Sequence, residues 1–295
     1  MKRDFLTGEE LGAFELGKLL DEAVEMKAGR RSGRSATALG GRSIGLVFEK
    51  PSTRTRISFE VGVAELGATP LVLRGDELQL SRGESVGDTG RVLSRYLDAI
   101  VIRSGSHENV AELAAGAEVP VVNALTPLHH PCQALADLLT LRERFGELDG
   151  LRLAYVGDGN NVARSLAIAC ELSGVELVVA APAGYQLEEG HGAKLTDDPR
   201  AAADSADAIY TDVWVSMGDE EEAERRRRDL GPYRVDADLL GAAKDEAVVL
   251  HCLPAHPGEE ISAEVLYGER SAVWDQAENR LHTQKALLRE LVLGT

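Results

Sequence analysis

The sequence has few of the features that exported, membrane-spanning or metal-binding proteins need. Among 295 residues only three are cysteines, Cys132, Cys170 and Cys252, and no Cys-x-x-Cys pair or Cys/His ligand spacing occurs. Disulfide frameworks and structural zinc sites are therefore not predicted. No window approaches the roughly 20 apolar residues that a membrane helix requires. Acidic and polar residues occupy the position where a signal peptide needs its apolar segment, so we expect a cytoplasmic protein without membrane association.

Positive charge is also scarce. The chain has 32 lysines and arginines against 49 acidic residues, which gives a formal net charge of -17. Nucleic acids bind to clustered cationic side chains, so no nucleic-acid partner is expected. The run EEEAERRRR, residues 220–228, is interpreted as a solvated helix face, because its acids precede its bases as the helix dipole favours. Any anion site must therefore be local.

Short β-rich runs alternate with helical patterns along the whole chain. Near-continuous apolar strands separated by crossover helices predict parallel sheets that are covered on both faces. The predicted strands are residues 43–49, 69–73, 98–103, 119–125, 151–157, 175–182, 206–214, 247–253 and 271–275. The predicted helices are residues 15–28, 54–66, 86–97, 131–144, 161–173, 219–229 and 278–292.

This alternation predicts an α/β protein with two domains, each a mostly parallel sheet flanked by helices, joined by interdomain helices. We place the first domain at residues 1–132, completed by a C-terminal helix at 279–295, and the second at residues 133–278. Ligands of open α/β sheets bind beyond the carboxyl ends of the strands. The residues that follow each predicted strand are therefore the candidate site residues.

Hydroxyl and guanidinium groups follow the first predicted strand, in the segment STRTR. Ser52 is a natural N-cap for the next helix, and Thr53, Arg54 and Thr55 lie in its first turn. Exposed N–H groups, the positive end of the helix dipole, two hydroxyls and the guanidiniums of Arg54 and Arg56 together favour a bound phosphate. The spacing of a nucleotide P-loop is absent, so a nucleoside triphosphate is not indicated.

Polar residues also follow the third and fourth predicted strands. Arg103 ends the third strand, and His130 and Gln133 stand at the entrance of the helix after the fourth. Arg103 and His130 together could hold a carbonyl oxygen on which negative charge develops. Considered on its own, His130 is better explained as an ordinary helix-start residue than as a ligand-binding residue.

The second series of strands offers donors for a different ligand. The segment GDGNNV, residues 157–162, has Val162 where a dinucleotide-binding motif needs its third glycine, so a nicotinamide site is only weakly indicated. Asn160 and Asn161 bring amide groups to the same strand end. The seventh predicted strand leads into a connection that carries Asp212, Ser216 and Met217. The carboxylate and the hydroxyl in this connection suit a cationic amine.

Cys252 and Leu253 follow the eighth predicted strand, just before a proline. The proline leaves a non-helical turn there, in which the Leu253 carbonyl could accept a hydrogen bond. Cys170 is instead interpreted as a buried structural thiol. Arg280 is ambiguous on local evidence.

These segments resemble the aspartate and ornithine carbamoyltransferase family in order and spacing. The resemblance rests on STRTR, HPCQALADLLT, GDGNNV, DVWVSMG and HCLPAHPGEE and covers nearly the whole chain. It implies carbamoyl transfer from carbamoyl phosphate to the δ-amine of L-ornithine, giving citrulline, in a homotrimer or an assembly of trimers, with no metal and no organic cofactor. The residues that it implies for carbamoyl phosphate are Ser52, Thr53, Arg54, Thr55, Gln79 from a neighbouring subunit, Arg103, His130, Gln133, Cys252, Leu253 and Arg280. Those for ornithine are Asn161, Asp212, Ser216 and Met217, with Cys252, Arg103 and His130 as the catalytic set.

Several alternatives remain open at this point. Gly105 and Pro257 depart from the family pattern, which commonly has an aromatic residue and a basic residue at these positions. The acceptor could instead be putrescine or N-acetylornithine, and a catalytically silent carbamoyl-phosphate-binding subunit is a third reading. The proton of the attacking amine could pass to the Cys252 thiolate or to the departing phosphate.

Overall fold

The computed structural model describes residues 2–33, 37–75, 84–188, 190–215 and 220–294. These residues form two compact units, the first made of Met1–Leu139 with Asn279–Thr295, the second of Thr140–Glu278. The chain passes from the first unit to the second within helix α5 (Pro131–Phe145) and returns within α11 (Val273–Leu293). The predicted fold class, two helix-flanked parallel sheets, is confirmed.

The first unit is built on a four-stranded parallel sheet in the order β2-β1-β3-β4. Strands β1 and β3 lie inside the sheet and are almost entirely buried, which explains why their sequences, SIGLVF and AIVIR, are apolar apart from Ser43 at the start of β1 and Arg103 at the end of β3. The strands are β1 (Ser43–Phe48), β2 (Thr69–Arg74), β3 (Ala99–Arg103) and β4 (Val121–Leu125). The helices are α1 (Ala13–Arg31), α2 (Thr53–Glu65), α3 (Val86–Leu93), α4 (His107–Gly116) and the start of α5.

The second unit is built on a five-stranded parallel sheet in the order β7-β6-β5-β8-β9. Its strands are β5 (Arg152–Val156), β6 (Glu176–Ala180), β7 (Lys194–Thr196), β8 (Ala208–Thr211) and β9 (Val248–His251). Its helices are α6 (Asn161–Ser173), α7 (Pro199–Ala203), α8 (Ala223–Leu230), α9 (Ala237–Leu240) and α10 (Ala263–Leu266), with 3-10 turns at Glu220–Glu222 and Gly231–Tyr233.

The strand orders define one switch point in each sheet. In the first unit the crossovers run in opposite directions on either side of β1 and β3, and in the second unit on either side of β5 and β8. The crevice at such a point, beyond the carboxyl ends of the strands, is where open α/β sheets bind ligands. The loops after β1, β3, β5 and β8 are therefore the loops that matter for function.

The strand predicted at 271–275 is wrong. Ser271 makes only an isolated bridge with Val249, and the chain turns into α11 at Val273. Ala272 and Val273 are buried beside β9, where the Ala272 N–H donates to the Val249 carbonyl, whereas Trp274 is exposed. Strand β7 and helices α4, α7, α9 and α10 were not predicted, because each is short or carries no strong apolar period.

No helix in the described ranges is both long enough and apolar enough to traverse a bilayer.

Candidate active site

The loop after β1 presents its polar groups as the sequence predicted. Ser52 is the N-cap of α2 in an extended conformation, but its hydroxyl makes no capping hydrogen bond. No acidic residue stands in the first turn of this helix, so its N–H groups and dipole are not offset by a carboxylate there. Arg54 is exposed, whereas Arg56 pairs with Glu60 one turn along the helix, at 3.2 Å. The helix start can therefore accept an anion.

Thr55 joins this loop to the last helix. The buried Thr55 hydroxyl accepts a hydrogen bond from Nη2 of Arg280 at 2.6 Å, and both residues belong to the first unit. Arg280 is only 3% exposed, so its guanidinium is directed at the loop rather than at solvent. The ambiguity about Arg280 in the sequence is resolved, because its side chain lies beside the STRTR segment.

Arg103 and His130 are also buried close to that guanidinium. Arg103 pairs in register with Phe48 of β1, which places its side chain at the switch point of the first sheet. Burial, then the charges of Arg280 and Arg103, hold the pKa of His130 well below its usual value. The imidazole is therefore neutral at physiological pH, and it can donate one hydrogen bond without adding a third cation.

Gln133 and Cys132 lie in the first turn of α5 and have different environments. The Gln133 amide donates to Asp137 Oδ1 at 2.8 Å, and its Oε1 has no hydrogen-bond partner among the described residues. Burial raises the pKa of the Cys132 thiol to about 12, so this cysteine is an inert core group.

At the switch point of the second sheet, Asn160 and Asp212 bond to each other. Asn160 Nδ2 donates to Asp212 Oδ2 at 2.8 Å, while its Oδ1 caps α6 by accepting from the N–H groups of Val162 and Ala163. Asp212 is only 6% exposed. The amide therefore fixes the orientation of a buried carboxylate at the ends of β5 and β8.

Cys252 lies on the other side of the same carboxylate. Its Sγ is 2.9 Å from Asp212 Oδ1, a geometry in which a thiol donates to a carboxylate. The next residue, Leu253, has a left-handed conformation with φ of 59° and precedes a cis proline peptide. Its N–H donates to Nδ1 of His251 at 2.9 Å.

The Glu260 carboxylate stabilises this turn. Its Oε1 lies 3.2 Å from Nε2 of His251 and also accepts from the N–H of His256. Asp212, His251 and Cys252 present three ligand atoms within 4.8 Å of one another, as a metal site would require. Both ring nitrogens of His251 are already engaged, however, so the trio is better described as a hydrogen-bonded network.

Comparisons with known families match both parts of the chain to one family. Residues 3–143 match the aspartate/ornithine carbamoyltransferase, carbamoyl-P binding domain, and residues 149–291 match the Asp/Orn binding domain of the same family. The chain belongs to the aspartate/ornithine carbamoyltransferase family. The resemblance stated from the sequence is thereby confirmed.

Individual carbamoyltransferases resemble the chain over its full length. The ornithine carbamoyltransferase of Acidothermus cellulolyticus is 55% identical over 99% of this chain and 97% of its own. That of Methanoculleus marisnigri is 50% identical over 100% and 98%. Among solved structures, ornithine carbamoyltransferase from Pyrococcus furiosus has a TM-score of 0.95 at 47% identity, covering 99% of this chain and 97% of that one. The Thermus thermophilus enzyme has a TM-score of 0.91 at 44% identity, with 99% of each chain covered.

Most of the predicted carbamoyltransferase residues lie in the described residues and are divided between the two units. In the first unit these are Ser52, Thr53, Arg54, Thr55, Arg103, His130, Gln133 and Arg280. In the second they are Asn161, Asp212, Cys252 and Leu253. The predicted residues Gln79, Ser216 and Met217 lie outside the described residues.

The departure from the carbamoyltransferase pattern at Gly105 does not reflect a steric need for glycine. A Cβ there would meet its nearest neighbour, Cε of Lys50, at 3.6 Å, an ordinary contact. The Gly105 N–H donates to Glu49, whose carboxylate also accepts from Ser104. The loop after β3 is therefore held by Glu49 through groups that any residue at 105 would supply.

Sequence reasoning placed Asn160 at its strand end without a contact to Asp212, and it did not identify three further supporting residues of this carbamoyltransferase, His251, Glu260 and Arg226. Asn160 orients Asp212, His251 and Glu260 hold the turn at Leu253, and Arg226 is buried among the loops of the second unit. The last of these corrects the interpretation of residues 220–228 as a solvated face. His251 and Glu260 both lie in the segment HCLPAHPGEE, and their closeness in the sequence was a signal for a contact between them. Nothing in the local sequence distinguishes Arg226 from the arginines beside it.

Proposed function

We propose that the chain is an ornithine carbamoyltransferase, which transfers the carbamoyl group of carbamoyl phosphate to the δ-amine of L-ornithine and releases citrulline and phosphate. The observation that carries this function is the pair of family matches, which together cover the binding domains for both substrates. Relatives about half identical over the full length bear the same name.

Carbamoyl phosphate is assigned to the first domain, residues 1–132 with 279–295, and ornithine to residues 133–278. The phosphate is bound by Ser52, Thr53, Arg54 and Thr55 at the start of α2. The absence of an acidic residue from the first turn supports this assignment, as does the Ser52 hydroxyl, which makes no capping hydrogen bond. Backbone N–H groups at a helix start and a guanidinium are the donors that phosphate oxygens bind best.

The carbamoyl group is assigned to Arg103, His130, Gln133 and Arg280, joined by Cys252 and the carbonyl of Leu253. The carbonyl oxygen accepts from the two arginines and from the neutral His130, whose depressed pKa is consistent with a donor role. Oε1 of Gln133, which has no partner among the described residues, suits the carbamoyl –NH2 group. Donors thus face the oxygen and acceptors face the nitrogen.

Ornithine is assigned to Asn161, Asp212, Ser216 and Met217. The buried Asp212 carboxylate suits a cationic amine, since a charge in that environment requires a charged or strongly donating partner. Putrescine has no α-amine or carboxylate, and N-acetylornithine has no cationic α-amine. N-acetylornithine would therefore leave Asp212 without a cationic partner, and putrescine, whose second amine is cationic, would offer the site no carboxylate.

The amine that attacks must first lose a proton. An alkylammonium has a pKa of about 10.4, so only about one part in a few thousand is neutral at pH 7, a handicap of about 4 to 5 kcal/mol. Burial of the amine lowers its pKa and reduces this handicap. As the N–C bond forms, the C–O bond to phosphate breaks, and the amine proton must leave.

The geometry favours the departing phosphate as the proton acceptor. The alternative, a Cys252 thiolate, would lie 2.9 Å from the Asp212 carboxylate, where two anions repel each other. A thiol that donates to Asp212 has no such conflict. Cys252 is therefore assigned a positioning role, in which it orients Asp212 and the substrate amine, and it is not assigned the role of proton acceptor.

The active assembly is proposed to be a homotrimer in the cytoplasm. The neighbouring subunit would supply Gln79, as the family resemblance implies. The edge strand β2 and several exposed apolar side chains of the first unit, among them Ile57 and Leu71, are consistent with contact to another chain.

An acceptor panel tests the function. Purified protein is supplied with carbamoyl phosphate and, in turn, ornithine, N-acetylornithine, putrescine, lysine or aspartate, and the carbamoylated product and phosphate are quantified. We expect kcat/KM for ornithine to exceed that for every other acceptor by at least about 100-fold, because N-acetylornithine and putrescine lose charged groups, lysine places its side-chain amine one methylene too far, and aspartate has no side-chain amine. Faster turnover of putrescine or N-acetylornithine would reassign the acceptor, and binding of carbamoyl phosphate without turnover would indicate a silent subunit.

A further inference from the structure

Helix α8 carries four consecutive arginines, and one of them differs from the others in burial. The side chains of Arg225, Arg227 and Arg228 are 55%, 48% and 74% exposed, whereas that of Arg226 is 11% exposed. A guanidinium leaves water only where protein groups replace its hydrogen bonds. The guanidinium of Arg226 is therefore enclosed by protein groups, whereas those of its neighbours in the run remain largely in solvent.

The Arg226 side chain contacts three loops that follow three different strands. Its Nε donates to the carbonyl of Trp214 at 2.5 Å, in the loop after β8. Its Nη2 forms an ion pair with Asp158, in the loop after β5, whose side chain is 15% exposed. Its Cζ lies 5.2 Å from the ring centroid of Tyr185, in the loop after β6. The planar fork of arginine can bridge such groups, whereas a single ammonium group cannot.

Two of these loops carry the proposed ornithine ligands. Asp158 stands two residues before Asn160, and Trp214 stands two residues after Asp212. Because Asn160 also donates to Asp212, the loops after β5 and β8 are joined at two points, once by this amide and once by Arg226.

We infer that Arg226 is a positioning residue for ornithine, which sets the separation between Asn161 and Asp212 by holding Asp158 and Trp214. It acts through these loops and not by touching the substrate. The inference rests on the proposed function, since it concerns the acceptor site of the same reaction. Its effect should fall on ornithine and not on carbamoyl phosphate, whose proposed phosphate ligands, residues 52–55, belong to the first unit.

The test compares Arg226→Met with Arg228→Met in the full-length enzyme. Methionine keeps much of the stem and removes the guanidinium, and Arg228 is a matched control because it is exposed and pairs only with the adjacent Asp229 among the ion pairs seen in the described residues. We expect Arg226→Met to raise the KM for ornithine at least about 10-fold, with the KM for carbamoyl phosphate and the KM values of Arg228→Met within about twofold of wild type.

Two further variants separate positioning from a merely structural role. Arg226→Lys keeps the charge but can satisfy only one of the two loops, so its KM for ornithine should lie between those of wild type and Arg226→Met. Asp158→Asn should also raise the KM for ornithine. In the double variant with Arg226→Met, the increase in this KM should be smaller than the product of the two single increases, because both substitutions remove the same Arg226–Asp158 ion pair.

The outcomes are distinguishable. A lower melting temperature or active fraction with an unchanged KM for ornithine would overturn the inference, as would equal increases for both substrates. A wild-type protein that forms no citrulline would instead remove the proposed function, and the inference with it.

Discussion

At the residue scale, the two exposed arginines of STRTR illustrate how identical side chains differ in role. Arg54 lies in the first turn of α2 without a carboxylate nearby in that turn, whereas Arg56 is paired with Glu60. An arginine that binds phosphate stabilises the developing charge on the leaving group, and one in an exposed i,i+4 pair contributes little to stability. Position on the helix therefore distinguishes Arg54, the proposed phosphate ligand, from Arg56.

Replacing each arginine by methionine tests this assignment. Arg54→Met should lower kcat/KM for carbamoyl phosphate by about 100-fold or more, because a charged donor to the reacting phosphate is lost. Arg56→Met is the matched control and should stay within about twofold of wild type. Steady-state kinetics with varied carbamoyl phosphate give both values. Equal losses in the two variants would contradict a specific phosphate contact at Arg54.

At the scale of elements, the GDGNN loop after β5 is shaped by backbone packing. Gly159 N–H donates to the Tyr185 carbonyl at 2.7 Å, so the loops after β5 and β6 touch through their main chains. A Cβ on Gly159 would come within 2.6 Å of Leu187 N and 2.7 Å of Tyr185 O. The second glycine of the GxG pair is thus required by this contact and needs no dinucleotide to explain it.

Gly159→Ala should therefore destabilise the second unit by about 1–3 kcal/mol, because backbone atoms must move to admit the methyl group. The KM for ornithine should rise as well, since the Asn160 and Asn161 side chains lie on the displaced loop. Denaturant unfolding and kinetics measure the two effects. Gly105→Ala serves as the control, since its Cβ would meet only ordinary contacts. If both glycines tolerate alanine equally, the close approach at Gly159 does not limit the loop.

At the scale of the whole molecule, the buried His130 and the partly buried His107 link stability to pH. Burial and the charges of Arg280 and Arg103 hold the pKa of His130 well below the usual 6.5, and burial lowers the pKa of His107. Above pH 6.5 these groups are neutral in both folded and unfolded chains, so their contribution is fully present there. As the pH falls below 6.5 toward the folded values, the unfolded chain takes up protons that the folded chain does not, and stability is lost.

The free energy of unfolding should therefore decrease between about pH 7.5 and about pH 5.5, by up to about 1.4 kcal/mol for a histidine that stays neutral when folded. Denaturant titrations at fixed protein concentration measure this change. His130→Asn and His107→Gln should each flatten the profile, the first more than the second. An unchanged slope in both variants would show that other groups govern this range.

The proposed trimer is the second prediction at this scale. Ile57 is 54% exposed on α2, directly after the STRTR segment that the resemblance places near a subunit interface. Ile57→Asp should shift the mass measured by sedimentation from three chains toward one, because a charge replaces apolar contact area. Leu195→Asp, at an exposed position of the second unit, should leave the mass unchanged. A wild-type mass of one chain would contradict the trimer itself.

The sequence by itself determined the class of fold and the loops to which we assign the chemistry. Buried parallel strands must be continuously apolar, and polar residues can interrupt them only where each strand ends, so runs such as AIVIR followed by a polar loop are legible without coordinates. STRTR, HPCQ and HCLP stand at such ends, and the family followed from their order. The domain boundaries, the trimer and the substrate roles of individual residues remain predictions.

The tertiary structure alone decided which residues from distant parts of the chain meet. Arg280 reaches Thr55 across 225 positions, Asn160 orients Asp212, and Arg226 is buried while its neighbours are exposed. Local sequence cannot specify such pairs, because contact between distant residues is set by strand order and crossover direction. Charged side chains of the same type therefore look alike in sequence, and only the environment to which the fold brings each one separates a ligand from a support or a solvated side chain.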